Sequence, residues 1–101
     1  MSIISDLDES SGKLTIAIDG RFDFSAHKEF RASYESLEHK PEHFSIDMGR
    51  ANYIDSSALG MLLLLRDHAG GDRADVEIVN CNADVKKILT ISNFDQLFSI
   101  H

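Results

Sequence analysis

The chain has 101 residues, 43% of them hydrophobic and 27% charged, which suits one domain with one core and is too short for two ordinary domains. No run approaches the ~20 apolar residues of a membrane span, the longest being Ala58 to Leu65, and no basic region leads an apolar stretch at the N-terminus, so no secretory signal is readable and a soluble cytoplasmic protein is expected. Ten Lys and Arg against seventeen Asp and Glu leave a net charge of −7, which disfavours nucleic-acid binding because few cations are available to displace phosphate counterions.

In chain order, Ile3 to Asp8 reads as a strand and Ser10-Ser11-Gly12 as a turn. Leu14, Ile16 and Ile18 then alternate with Thr15, Ala17 and Asp19, the period of a half-buried strand over Lys13 to Gly20. These two strands should form a hairpin. Ser25 reads as the N-cap of a helix through about His39, with Ala26, Phe30, Tyr34 and Leu37 as its apolar stripe and Pro41 as its stop. His43 to Met48 is a short strand, and Asp55 or Ser56 caps a second helix that runs to Gly70-Gly71. Val76 to Asn80 is the next strand, Asn82 caps a helix from Ala83 to about Ile91, and Leu97 to Ile100 is a short edge strand. The order is β-β-α-β-α-β-α-β. It predicts an α/β fold, a mixed sheet that opens with an antiparallel hairpin and continues with parallel pairs across helices.

The segment with chemical potential is Asn52 to Gly60, at a strand-to-helix junction. Two hydroxyls, Ser56 and Ser57, follow the Asp55 carboxylate where free backbone N–H groups and the positive end of the helix dipole favour an anion. A phosphate there would add roughly 1.5 to 2 negative charges beside Asp55 and change what the surface can bind. The same residues also suit plain helix capping, the commonest use of Asp and Ser at that position. Along the helix, Ala58, Met61, Leu62, Leu65 and Ala69 form one core-facing stripe. A second stripe reads Ser56, Gly60, Leu63 and Asp67. Gly60 costs about 1 kcal/mol against Ala in a helix interior, so a partner passing close over it, or another helix of the same chain covering Leu63, should explain it. Only Asp55 is charged between Ala51 and Leu65, a composition suited to docking by apolar contact.

Asp55-Ser56-Ser57-Ala58-Leu59-Gly60 closely resembles the D-S-[ST]-[GA]-[LIV]-G signature of STAS domains, specifically the bacterial anti-sigma factor antagonists. Gly20-Arg21-Phe22-Asp23 is similar to that family's G-x-[LF]-D, and Asn82 to Leu89 and Ile91-Ser92-Asn93-Phe94 resemble the segments that open and close its last helix. The matches span nearly the whole chain in order, which implies one STAS domain over residues 1–101. The resemblance implies partner switching. An unphosphorylated antagonist binds a regulator, commonly an anti-sigma factor with a serine-kinase fold, and frees a sigma factor. Phosphorylation of the serine after the aspartate, here Ser56 with Ser57 as the alternative, breaks the complex, and a metal-dependent serine phosphatase restores it. Partner contacts would then include Asp23, Asp55, Ser56, Ser57, Gly60, Leu63 and Asp67. Ala58 departs from the glycine of many members. Arg21, beside the matching Asp23, is available to a phosphate or to an acidic partner.

Two other classes compete with this reading. An enzyme lacks support: the five histidines show no metal-binding spacing, no G-x-S-x-G elbow or Gly-rich phosphate loop is present, and no base accompanies Cys81. No catalytic residue, metal or cofactor is expected. The lone Cys81 cannot make an internal disulfide and reads as a small buried residue. The second competitor is a non-switching STAS scaffold, a subunit of a signalling or lipid-transport complex. The regulator is an anti-sigma factor or serine kinase on this resemblance, with another signalling enzyme as an open alternative, and the free chain is expected to be monomeric.

Overall fold

The computed structural model describes residues 2–101. Strands β1 (Ser2–Asp8), β2 (Lys13–Phe22), β3 (His43–Ile54), β4 (Val76–Val79) and β5 (Ser99–Ile100) lie in sequence order in one sheet. β1 and β2 are antiparallel and the other neighbours are parallel. Helices α1 (His27–Glu35), α2 (Ser56–Ala69) and α3 (Ala83–Ile91) connect them. This is the α/β order read from the sequence.

Cross-strand register explains the core. Leu14, Phe44 and Val76 lie side by side, as do Ile16, Ile46 and Ile78. All six are buried, together with Phe30, Tyr34, Ala58, Leu62, Leu65, Val85 and Leu89 of the helices, in one cluster. Thr15, Ala17, Asp47, Glu77 and Val79 point the other way and stay half-exposed. The helices therefore cover one face of the sheet. On the open face the buried Ser45 lies beside Glu77 and helps hold its carboxyl below the ordinary range, and Lys13 pairs with the same carboxylate at 3.2 Å.

Several boundaries differ from the expectations. α1 does not begin at a Ser25 cap. Asp23 caps a 3₁₀ turn over Phe24–Ala26 by accepting from the Ser25 amide, and the α-helix starts at His27. It ends at Glu35 rather than near His39, where the Ser36 amide and hydroxyl both bond the Ala32 carbonyl, so Leu37 lies beyond it and Pro41 is not its stop. β2 and β3 run past Gly20 and Met48 because they keep pairing, Gly20 with Ala51, Arg21 with Tyr53 and Phe22 with Ile54. Two register shifts interrupt that stretch, and Gly20 stands at the second with φ 94, which breaks the alternation that reveals a strand. β4 stops one residue early because Asn80 takes φ 61, and β5 is only Ser99–Ile100 because Leu97 closes a 3₁₀ turn. Of the two candidates for the α2 cap, Asp55 and Ser56, the structure uses Asp55, and Asn82 caps α3 as read, accepting from the Val85 amide at 2.8 Å. Gly70 closes α2 at φ 126, its N–H reaching the Arg66 and Asp67 carbonyls.

Candidate functional site

β2 and β3 end together. With Phe22 paired to Ile54, Asp23 and Asp55 emerge as neighbours at the C-terminal edge of the parallel strands, the end where ligands and partners meet sheets of this kind. Each aspartate starts a turn of the form Asp-x-Ser. Asp23 Oδ1 accepts from the Ser25 amide at 3.0 Å and the Ser25 hydroxyl at 2.5 Å. Asp55 Oδ1 accepts from the Ser57 hydroxyl at 2.6 Å and the Ala58 amide at 3.1 Å. These bonds favour the ionised acids. The Ser57 hydroxyl and then the Ala58 N–H hold Asp55 below the ordinary carboxylate range, and the Ser25 hydroxyl and then its amide do the same for Asp23. The Asp23 charge pushes Asp55 slightly the other way, a sign of how near the two carboxylates lie.

The two serines differ in consequence. Ser57 is half-buried and its hydroxyl is committed to the cap. Ser56 is exposed at the first position of α2, and among the described residues no hydrogen bond engages its hydroxyl. It can be reached from solvent without disturbing the cap.

The outer face of α2 carries the second stripe. Ser56 and Asp67 are exposed, Gly60 is half-buried, and Leu63 is 41% exposed, so no other helix covers it. A methyl group on Gly60 would meet nothing within 4 Å, and its glycine has no packing reason inside this fold. The core stripe is as expected: Ala58, Met61, Leu62 and Leu65 are buried and Ala69 packs partly against them.

Three further residues escaped the sequence reading. Leu64 is 52% exposed beside Leu63, as the remaining side of a helix that four consecutive leucines encircle. Phe24 is 71% exposed and stacks on His27. The repeated Asp-x-Ser pattern, Asp23-Phe24-Ser25 against Asp55-Ser56-Ser57, gives Phe24 and Ser56 corresponding places in the two turns and was a usable signal for it. Tyr53 lies under the Arg21 guanidinium, 3.9 Å from carbon to ring centroid, while Arg21 Nε reaches Asp23 Oδ2 at 3.4 Å. Elsewhere, Cys81 is half-buried and burial pushes its thiol up, away from reactivity. No group of three or more potential metal ligands occurs among the described residues, and no helix among them is long and apolar enough to cross a membrane.

Residues 5–99 match the family model described as "Mlab, STAS domain". The chain belongs to the STAS domain family. It is 58% identical over 88 residues to a STAS-domain containing protein of Pseudomonas aeruginosa strain UCBPP-PA14, covering 87% of each chain. Among solved structures it resembles the anti-sigma factor antagonist SpoIIAA in its unphosphorylated form, with a TM-score of 0.76 at 15% identity over 99% of this chain and 87% of the other. A sulfate transporter family protein from Wolinella succinogenes is similar in fold as well, with a TM-score of 0.75 at 16% identity over 90% and 73% of the two chains. At such identities these two likenesses speak for the fold.

Proposed function

We propose that this chain is an anti-sigma factor antagonist that works by partner switching, with residues 1–101 forming one STAS module. Unphosphorylated, it binds a regulator, an anti-sigma factor or serine kinase. Phosphorylation of Ser56 releases that regulator, and a metal-dependent serine phosphatase restores binding. The single observation that carries this reading is the exposed, uncommitted Ser56 hydroxyl at the start of α2, beside a Ser57 already used by the cap.

Physical chemistry supports the switch. A phosphate on Ser56 would meet free amides and the positive helix end, so the fold tolerates it. It would also add charge next to Asp23 and Asp55 and beside Gly60, Leu63 and Leu64, a patch that must lose water when a partner docks. Repulsion and desolvation then both weaken the complex. The similarity in fold to an anti-sigma factor antagonist agrees with this reading. The similarity to a sulfate transporter family protein favours a second one, a non-switching subunit.

The test is to isolate the protein from the cells that make it, map phosphate to individual serines, and compare capture by wild type, Ser56→Ala and Ser56→Asp baits. Phosphate at Ser56 and a partner held by the first two baits but lost by the third are expected. Identical partners on all three baits, with no phosphate at Ser56, would favour the non-switching subunit.

A further inference from the structure

We propose that Arg21 is the internal receptor for the phosphate on Ser56, moving its guanidinium from Asp23 to the phosphoserine and so locking the released state. This rests on the reading of Ser56 as the modified residue. Arg21 pairs across the strands with Tyr53, and Ser56 follows Tyr53 by three residues, about 10 Å at the ~3.3 Å rise of extended chain. The Arg21 side chain already extends toward that end, because it reaches Asp23, the neighbour of Asp55.

The present contacts of Arg21 are of a kind that can be exchanged. Its 3.4 Å approach to Asp23 is long for a charged hydrogen bond, and the side chain is 61% exposed. Asp23 keeps its two bonds from Ser25 if Arg21 leaves. The Tyr53 ring holds the guanidinium by a cation–π contact, 3.9 Å from carbon to centroid. Among the described residues its one hydrogen bond uses Nε, which leaves the Nη1 and Nη2 donors for two phosphate oxygens. Phosphorylation would gather three anionic groups, Asp23, Asp55 and the phosphate, around Arg21. Lys13, Arg31, Arg50 and Arg66 are paired elsewhere, with Glu77, Glu35, Asp19 and Asp72.

The experiment uses full-length protein with phosphoserine incorporated directly at position 56, so that no kinase is needed, and follows its ³¹P resonance with pH. The titratable and charged groups of the elements that meet at this end are Arg21 and Asp23 from the end of β2, Tyr53 and Asp55 from the end of β3, and His27 and Lys28 from the start of α1. His27 is common to every variant, so its contribution cancels from the comparison. The second ionisation of the wild type is expected on the order of one unit lower than in Arg21→Ala, with Arg21→Lys between them and Lys28→Ala, on the first turn of α1, like wild type. Equal midpoints in wild type and Arg21→Ala, or a shift that follows Lys28 instead, would overturn the assignment. The switch itself is read separately by partner capture. Release of the partner by phosphoserine without the Arg21 shift removes only the clamp, and the shift without release removes only the switch.

Discussion

Asp55 supports the entry of α2 with one carboxylate oxygen, and the charge on that oxygen has a pH signature. Its bonds to the Ser57 hydroxyl and the Ala58 amide lower its folded pKa below the ordinary 3.8. The stabilisation is therefore fully present above about pH 4 and is lost as pH falls through the folded value. Asp55→Asn keeps a capping acceptor and removes the titration. Urea midpoints are expected to be close to wild type at neutral pH, with a shallower decline than wild type below about pH 4. An unchanged acid decline would assign the effect to Asp8, Asp23 and Glu77, which are lowered as well. At this scale the sequence was informative where chemistry is local. Asn82 as a cap, and Asp55 as one of two candidates, were legible because the acceptor and the amide it serves lie three residues apart. The different fates of Ser56 and Ser57 were not, since they depend on which hydroxyl turns back to Asp55.

Within α2 the burial of each leucine follows its angle around the axis. Leu62 and Leu65 are fully buried while Leu63 and Leu64 face solvent, and only the packed sheet beneath tells the helix which side is inside. Gly60→Ala meets open space and gains helix propensity, so it should raise stability by about 0.5–1 kcal/mol. If a partner closes over the stripe, the added methyl group should weaken capture at the same time. Leu63→Arg should abolish capture with a melting temperature near wild type, because it replaces an exposed side chain. A large fall in melting temperature would place Leu63 in the core instead. Thermal melts and capture on the same preparations check both variants. The strands were harder to bound than the helices. In β3 the residues Ala51 and Ile54 are buried three apart rather than two, and a period-two reading stops at Met48 for that reason.

Taken whole, the molecule is a two-layer structure with a radius of gyration of 12.3 Å, helices on one face of the sheet and a mixed polar surface on the other. Ile4 and Ile18 test that arrangement, since they lie on paired neighbouring strands but face opposite ways, 66% and 1% exposed. Ile18→Ala should cost roughly 2–5 kcal/mol in chemical unfolding, and Ile4→Ala no more than about 0.5 kcal/mol. Similar losses for both would mean that the open face is covered in solution. Element order, the turn-and-cap positions of α2 and α3 and the Asp-Ser-Ser segment were determined by the sequence alone, because propensity, capping and hydrophobic period act within a few residues. Only the tertiary structure decided that Asp23 and Asp55 stand side by side, that Arg21 lies on Tyr53, and that Leu63 and Phe24 remain uncovered. Those relations follow from the register between β2 and β3, whose two shifts arise from pairing between strands some thirty residues apart.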